Sequence, residues 1–272
     1  MAIDQAEKAR RFAELHRRKG AFVIPNPWDI GSARILAALG FEALATTSAG
    51  FAFSIGRRDG AISRDDALAH THALAAATEL PVSADLENCF GHDPKTVAET
   101  IRLAAETGLV GGSVEDFSGD DQRAIYDLGH ATERVAAAVA AARALRFPFT
   151  LTARAENFLH GRPDLDDTIR RLQAFEKAGA DVLYAPGLPS LDAVKQVCAA
   201  VSKPVNVLTS GRSVEELAAA GVKRISLGGS LSRAAFGALL RAAREIKEHG
   251  TFGFLKDAVP HGEINAMMAG RP

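Results

Sequence analysis

The stretch "ELPVSADLENCFG" (79–91) begins as an apolar strand and ends with two carboxylates, Asp85 and Glu87, two residues apart. Successive side chains of a strand point to opposite faces, so residues i and i+2 share a face. The sequence therefore directs two acids to one spot at the end of a strand that should be buried. Whatever fold contains this strand must also neutralise the negative charge at its end.

Runs of this kind, short, apolar and rich in β-branched residues, occur eight times along the chain. The eight lie at 21–26, 43–48, 81–87, 111–117, 149–157, 181–187, 205–210 and 224–229. Ala- and Leu-rich segments of helical period separate them, and several end in Gly just before the next run, as in "AETGLVGG" (105–112) and "AAAGVKRI" (218–225). Gly at that position suits a left-handed helix cap. Strands that alternate with helices pair in parallel through right-handed crossovers.

Eight such units predict one closed α/β barrel of the TIM type, a (β/α)8 barrel. The alternative is an open doubly wound sheet, which the lack of a GxGxxG turn after the first run disfavours. We predict a single domain over residues 1–272, with a helix before the barrel and a C-terminal helical extension over about 251–272.

Composition and charge exclude several classes of function. Of the 272 residues, 47% are hydrophobic and 24% are charged, and the formal net charge is −1, so nothing favours binding to nucleic acid or to an anionic membrane. The sequence lacks a run of about 18 apolar residues, which argues against a membrane span, and the charged N-terminal pattern is not that of a signal peptide. Two well-separated cysteines, Cys89 and Cys198, suit a reducing compartment. We therefore expect a cytoplasmic protein that acts on a small molecule.

In such a barrel the chemistry lies at the carboxyl ends of the strands. The polar residues that the runs place there include Thr47, Ser48, Asp85, Glu87, Glu115, Arg154 and Asn206. Acids from the third and fourth strands and an arginine from the fifth thus converge on one rim. Asp59, in the loop after the second strand, adds a further acid.

Two interpretations of these acids are open. Arg154 alone holds them in a structural ion network, or they hold a metal ion. Several like charges in one site must be neutralised or protonated at substantial cost, which favours the metal. Oxygen ligands without clustered His or Cys indicate Mg²⁺, with Mn²⁺ as the other possibility, rather than Zn²⁺.

Four motifs in order resemble the isocitrate lyase/phosphoenolpyruvate mutase superfamily. They are "TSAGFAFSIGRRD" (47–59), "DLENCFG" (85–91), "SVED" (113–116) and "TARAENFLHG" (152–161). The resemblance runs from "NPWDIGSARI" (26–35) to the final helices and implies a Mg²⁺-dependent barrel that cleaves or forms C–C or P–C bonds in 2-oxo acids.

The resemblance also implies roles for individual residues. Asp85 is expected to bind the metal directly, and Asp59, Glu87 and Glu115 to bind it through water. Thr47, Ser48 and Ala49 resemble the turn that holds a substrate carboxylate, and Arg154 resembles the cationic partner of the substrate. We expect Asp85 and Asn206 to contact the substrate as well, and Arg154, Thr47 and Glu115 to take part in catalysis.

The chain departs from the superfamily in the loop after the fourth strand. Isocitrate and methylisocitrate lyases carry a KKCGH-like sequence there, and phosphonate-processing relatives an Asn-Thr-Ser sequence. Here the region reads "EDFSGDDQRAIYDLGHATERV" (115–135), with neither. The likeness is therefore to the phosphonopyruvate/oxaloacetate type of branch. We expect the loop over 117–132 to close on the substrate, with His130 and His160 as candidate proton shuttles and Cys89 as a less favoured nucleophile.

These features predict a Mg²⁺-dependent lyase or hydrolase that cleaves a C–C bond in a small, oxaloacetate-like 2-oxo acid through a metal-stabilised enolate. One alternative is a phosphonate mutase or hydrolase that acts on the P–C bond of phosphonopyruvate or carboxyphosphonoenolpyruvate. Another is a metal-dependent 2-oxo acid binding protein without turnover.

The C-terminal extension predicts the oligomeric state of the protein. It carries apolar residues that need a surface to cover, among them Phe252, Leu255, Val259 and Ile264. In the superfamily that the motifs resemble, such helices pack on a neighbouring subunit. We therefore expect a homo-oligomer, a tetramer, in which the extension is swapped between subunits.

Overall fold

The computed structural model describes residues 3–120, 124–209 and 211–269. Each predicted run contains one strand, shorter than the run itself. The strands are β1 Phe22–Ile24, β2 Leu44–Ala45, β3 Val82–Asp85, β4 Gly111–Glu115, β5 Thr150–Arg154, β6 Val182–Tyr184, β7 Val205–Leu208 and β8 Arg224–Ser226. They pair in parallel in the order β1-β8-β7-β6-β5-β4-β3-β2. Between the two ends of this order, Ala45 N–H donates to the Pro25 carbonyl at 3.0 Å, so the sheet is a nearly closed barrel, as predicted.

Helices follow the strands and cover the outside of the barrel. They are α1 Gln5–Arg17, α2 Ile30–Ala38, α3 Ser48–Ser54, α4 Arg64–Ala76, α5 Pro94–Glu106, α6 Leu128–Arg143, α7 Leu165–Lys177, α8 Leu191–Ala200, α9 Val214–Ala219, α10 Ser230–His249 and α11 His261–Met268, with a 3₁₀ helix at Gly253–Asp257. Within the described residues, none of these helices combines the length and apolarity needed to cross a membrane.

The apolar core lies between the sheet and the helices. Outward-facing strand residues such as Val82, Val114 and Leu151 pack against helix residues such as Ile101 and Phe175, and all five are nearly inaccessible to solvent. Glycines close the helices before the strands as predicted: Gly40, Gly108, Gly179 and Gly221 have φ between +84° and +103°, a region that costs little only for glycine. The core therefore belongs to the outer face of the sheet, and the inner face remains for other side chains.

The predicted N-terminal helix is α1. It begins after Asp4, whose side chain accepts the Glu7 N–H at 2.7 Å. Phe12 and Leu15 of α1 form a second apolar cluster with Phe22 and Ile24 of β1. This contact places α1 at the end of the barrel opposite the loops that follow the strands.

The C-terminal region is packed unevenly. α11 lies against α2 of its own chain, where Arg34 Nη1 donates to the Met268 carbonyl at 2.7 Å. By contrast, α10 buries only Ser232 among its 20 residues. Within the described part of the chain, twelve large hydrophobic residues are exposed. Half of them lie in α10 or in the segment that joins it to α11: Leu239, Leu240, Ile246, Phe252, Leu255 and Val259. An exposed apolar surface of this extent is typical of a protein–protein interface.

We expect the protein to be a homo-oligomer, in which these six residues, the α10 surface, are covered by a second copy. L239K should reduce the mass in solution toward the 28.7 kDa of one chain, because a charge cannot be buried in an apolar interface without cost. Light scattering after size-exclusion chromatography measures this. L39K is the matched control, since both leucines are 62% exposed and Leu39 lies outside the α10 surface. A wild-type protein that elutes as a monomer would contradict the prediction.

Candidate active site at the carboxyl end of the barrel

Three neighbouring strands end in charged residues at the same rim: Asp85 closes β3, Glu115 closes β4 and Arg154 closes β5. The β4–β5 register sets Glu115 directly opposite Arg154, and the β3–β4 register aligns Asp85 with Ser113. Arg154 Nη1 lies 2.8 Å from Asp85 Oδ1 and 3.2 Å from Glu115 Oε2, while its Nε donates to Glu156 Oε1 at 2.8 Å. The predicted convergence of these side chains therefore occurs, around one guanidinium.

Glu156 is the member of this cluster to which the sequence assigned no role. It stands two residues beyond Arg154, its side chain is only 1% exposed, and its backbone N–H donates to Asp116 Oδ1 at 2.8 Å. Asp116 is in turn bound by Arg171 of α7 at 2.9 Å. Asp116 and Arg171 thus fix the segment that carries Glu156, and the i+2 spacing from Arg154 was the one signal of its position.

The loop after β3 holds a strained backbone. Glu87, Cys89 and Phe90 have φ of 49°, 58° and 58°, and each non-glycine residue in this region costs about 1–2 kcal/mol. Arg134 of α6 stabilises the loop by donating to the carbonyls of Asn88, Gly91 and His92 at 2.5–2.8 Å. Strain of this kind persists where the surrounding structure enforces it, often at functional sites.

Glu87 is held beside the other acids without a cation of its own. Its Oε1 is buried and has no hydrogen-bond partner. Burial raises the pKa of Glu87 to about 7, and the charges of Asp85 and Asp59 raise it as well. The pKa of Asp59 is raised by burial and by Asp85. The carboxyl groups therefore repel one another in this cavity.

The number of acids at the rim, compared with the number of cations that contact them, tests the interpretation of the cluster as an ion network. Five carboxyl groups gather at the rim, those of Asp59, Asp85, Glu87, Glu115 and Glu156, and Arg154 contacts three of them. Burial raises the pKa of Glu115 well above its usual value, and the nearby Glu156 and Asp85 add to this against the opposing effect of Arg154. One guanidinium does not neutralise five acids. Among the described residues no cationic side chain forms an ion pair with Glu87 or Asp59, and the charge of Arg154 only partly opposes the rise in the pKa of both.

The donor set fits a hard cation that keeps water ligands. Within residues 3–120, 124–209 and 211–269, no three His, Cys, Asp or Glu side chains converge closely enough to be direct ligands together. Mg²⁺ in proteins commonly uses one or two carboxylates and completes its octahedron with water and substrate. The orphaned Glu87 oxygen is a ready acceptor for such a water.

The turn after β2 lies against Asp85. Thr47 caps α3 by accepting the Gly50 N–H at 3.2 Å, and Ser48 Oγ donates to Asp85 Oδ2 at 3.0 Å. Ser48, Ala49 and Asp59 line the same cavity as Asp85 and Arg154. Thr47, Ser48 and Ala49 thus line the cavity beside Asp85 and Arg154.

Asn206 lies deeper than the rim. Its Oδ1 accepts from Arg224 Nε at 2.8 Å and its Nδ2 donates to Ser226 Oγ at 3.0 Å. It lines the cavity of about 220 Å³ that runs from the rim into the barrel. A substrate that contacts Asn206 must therefore extend down the barrel.

The remaining candidates differ in position. His160 Nε2 lies 3.8 Å from Glu156 Oε2, and its ring stacks on Phe117 with 3.6 Å between centroids, which places it at the cavity. His130 lies at the start of α6, where its Nε2 is 3.0 Å from the His92 carbonyl. Cys89 is fully buried, and burial raises the pKa of its thiol to about 12, so the interpretation of Cys89 as a packing residue is the better one. Of the predicted closing loop at 117–132, residues 121–123 lie outside the described residues.

The comparisons with known proteins agree with this fold. A family model described as phosphoenolpyruvate phosphomutase matches residues 12–247. The chain therefore belongs to the phosphoenolpyruvate phosphomutase family, within the isocitrate lyase/phosphoenolpyruvate mutase superfamily that its motifs resemble.

Individual relatives range from close to distant. A solved Burkholderia cenocepacia protein, provisionally described as a lyase/mutase, is 60% identical, with 98% of this chain and 99% of that chain covered and a TM-score of 0.97. The 2-methylisocitrate lyase of Aeropyrum pernix is 26% identical over 251 residues, 88% of this chain and 79% of the enzyme. An oxaloacetate acetylhydrolase solved with its product oxalate has a TM-score of 0.87 at 24% identity, covering 98% of this chain and 95% of that chain; at this identity the likeness shows the fold alone.

Glu87 should make the metal-free protein sensitive to pH. Its folded-state pKa, about 7, lies above the ordinary 4.5, so the stability that its protonated form contributes is present below about pH 4.5 and is lost as the pH rises through 7. The loss amounts to about 3 kcal/mol at most. E87Q, which stays neutral, should keep that stability at pH 8 in EDTA, as urea unfolding at pH 5 and pH 8 would show.

The control is E99Q, at an exposed ion pair with Arg64, which should follow the wild type at both pH values. Added Mg²⁺ should raise the stability of the wild type at pH 8 and should leave the stability of E87Q unchanged. Equal pH dependence of the wild type and E87Q would show that Glu87 is not the repelled acid of this site.

Proposed function

We propose that the protein is a Mg²⁺-dependent lyase or hydrolase that cleaves a C–C bond in a small, oxaloacetate-like 2-oxo acid. The observation that carries the proposal is the excess of acid at the rim, five carboxyl groups around the single guanidinium of Arg154, with a buried Glu87 oxygen left without a partner. Similarity to curated 2-methylisocitrate lyases supports a lyase.

Asp85 would hold the metal directly, and Asp59, Glu87 and Glu115 would hold it through water. Mn²⁺ would satisfy the same oxygen donors. When bound, the metal supplies positive charge that stabilises an enolate. Arg154 Nη1 lies 2.8 Å from Asp85 Oδ1, so the guanidinium stands beside the residue that would hold the metal.

Arg154 is the residue that would bind both a substrate carboxylate and the keto oxygen on which negative charge develops. Its planar fork carries several N–H donors in fixed geometry, and Glu156 fixes its Nε while Tyr184 lies against its face, 5.1 Å from the ring centre. Cleavage of the bond between C3 and its substituent leaves an electron pair on C3, and this negative charge is delocalised onto the keto oxygen at C2 as an enolate. A preoriented guanidinium lowers the barrier where that charge develops.

The turn over Thr47, Ser48 and Ala49 would orient the substrate carboxylate. Thr47 acts indirectly, since its side chain caps α3, while Ser48 presents a hydroxyl beside Asp85. His160, against Glu156 and Phe117, is the group best placed to hold a proton for transfer to the enolate carbon.

Phosphonate chemistry is the second candidate, and the family model that matches the chain favours it. Cleavage of a P–C bond at C3 would leave the electron pair on the same carbon and the enolate charge on the same keto oxygen, so Arg154 would serve either reaction. A panel of oxaloacetate, other 2-oxo dicarboxylates and phosphonopyruvate, each with and without Mg²⁺, separates the two enzymes from a binding protein without turnover.

Substitution of Asp85 and Arg154 tests the assignment. D85A should lower turnover by orders of magnitude at ordinary Mg²⁺ concentrations, because a direct ligand is lost. R154K keeps the charge but loses the fork, and should lower kcat about 100-fold, about 2.7 kcal/mol of transition-state stabilisation, while Mg²⁺ binding stays nearly intact. Kinetics and calorimetry of Mg²⁺ binding measure the two effects.

D181A and R143K are the matched controls, since Asp181 and Arg143 form an exposed pair away from the rim, and both should retain wild-type rates. A structural ion network predicts another pattern: EDTA would leave the wild-type rate untouched, and D85A and R154K would lower the melting temperature instead.

The protein should lack isocitrate and methylisocitrate lyase activity, because the cysteine-bearing KKCGH-like loop of those enzymes is absent from 115–135. Release of glyoxylate from isocitrate, or of pyruvate from methylisocitrate, should stay far below an ordinary enzyme rate of about 1 s⁻¹. Turnover at or above that rate would show that another group replaces the loop cysteine.

A further inference from the structure

A second guanidinium, that of Arg224, lies inside the barrel below Arg154. It is 6% exposed, and its Nε, Nη2 and Nη1 contact Asn206 Oδ1 at 2.8 Å, Thr152 Oγ1 at 2.9 Å and His16 Nε2 at 3.4 Å. His16 is neutral, because burial and the adjacent Arg224 lower its pKa to about 3. Burial lowers the pKa of Arg224 only to about 10, so it is charged at neutral pH.

Arg224 is therefore a buried cation without a counterion. Its three contacts are all to neutral acceptors, and within the described ranges no carboxylate lies within the 4.0 Å of a salt bridge. A buried charge that is not paired is strongly destabilising. Arginine has five N–H donors, and three contacts leave some of them for another acceptor.

The cavity connects Arg224 to the active-site rim. Arg154 and Asp85 line its upper part and Arg224 its lower part. Small hydroxyl side chains, Ser83, Ser113, Thr152 and Ser226, point into it, where barrel interiors ordinarily hold bulky aliphatic residues. This lining leaves room and supplies hydrogen bonds.

Arg154 and the residue that Arg224 contacts occupy successive inward-facing positions of β5. Thr152, which contacts Arg224, precedes Arg154 on β5 by two residues, a rise of about 6–7 Å. A short dicarboxylate such as succinate or oxaloacetate carries a carboxylate at each end, one for each guanidinium. A single positive charge among neutral donors matches one carboxylate better than a doubly charged phosphate.

We propose that the cavity floor is an anion subsite, in which Arg224, with Thr152 and Asn206, binds a second carboxylate. The subsite narrows the substrate class to dicarboxylic 2-oxo acids, whose reacting end lies at the rim and whose distal carboxylate points down the barrel. This link to the reaction rests on the proposed function, whereas anion binding itself does not.

Calorimetric titration of the full chain with succinate in EDTA tests the subsite without the metal. The wild type should bind succinate and should bind acetate much more weakly, since acetate lacks the second carboxylate. R224Q should weaken succinate binding about 10–100-fold, the usual effect of losing a charged hydrogen-bonding partner, and R224K should fall between the two. Oxalate binding in Mg²⁺ should be unchanged in both variants, because oxalate is too short to reach the floor.

R143Q is the control. Arg143 forms an exposed ion pair with Asp181 and does not line the cavity, so its loss should leave succinate affinity unchanged. No succinate binding by the wild type, or equal affinity in R224Q, would overturn the proposal. If R224Q does not fold, the wild-type titration and T152V decide: T152V should also weaken succinate binding, and unchanged affinity there would overturn it.

The two proposals fail separately. Succinate binding without metal, together with absence of Mg²⁺-dependent turnover of any 2-oxo acid, would refute the proposed function and keep the subsite. Mg²⁺-dependent turnover together with absent succinate binding would keep the function and refute the subsite.

Discussion

The contact on which the site depends is that of Arg154 with Asp85, Glu115 and Glu156. The three carboxylates come from the end of β3, the end of β4 and the loop after β5, so one side chain joins three consecutive β/α units. The contact exists because the β4–β5 register sets Glu115 opposite Arg154, and a slip of one residue would turn both side chains to the apolar outer face. The other rim residues therefore surround a guanidinium that already contacts three carboxylates.

The polar interior is possible because the apolar core lies elsewhere. On β3 and β5 the residues that alternate with the site residues, such as Val82, Ala84, Leu151 and Ala153, face the helices and are buried. They supply the hydrophobic stabilisation, at roughly 25 cal/mol for each Å² of apolar surface. The inward-facing residues of the same strands, Ser83, Asp85, Thr152 and Arg154, are therefore released from packing. Because side chains alternate between the two faces, each strand supplies core residues from its outer face and site residues from its inner face.

The sequence predicted the barrel and its rim well, for physical reasons that are local. Eight apolar runs with helix-capping glycines such as Gly108 and Gly221 specify the alternation, and parallel pairing places every strand end on one side. Asp85, Glu115 and Arg154 were found because each terminates a strand. Asn206 was placed too near the rim, since its strand continues to Leu208 and leaves Asn206 one layer lower.

What the sequence could not show depends on partners remote in the chain. Arg134 supports the strained loop at Glu87 from a helix more than forty residues away, and the spacing of neither residue signals the contact. In "GVKRISLGG" (221–229) the sequence predicts a solvent-exposed Arg224, because a charged side chain at the start of a strand is usually solvated. Only closure of the barrel over α1 and His16 buries it. The role of α10 likewise becomes visible only when its apolar residues are seen to lack a surface within the chain.

The barrel therefore carries two charge imbalances of opposite sign, stacked along its axis. At the rim, five carboxyl groups exceed the one guanidinium that contacts them, which favours a cation. Deeper in the barrel, the guanidinium of Arg224 has no acid among its contacts with the described residues, which favours an anion. The two cannot neutralise each other directly, because Arg224 is held by Asn206 and Thr152 and the cavity lies between the layers. A ligand that is compensated at both levels must bring a group that binds the cation at one end and a carboxylate at the other. On the proposed function, the same arrangement that destabilises the empty barrel would also orient the substrate.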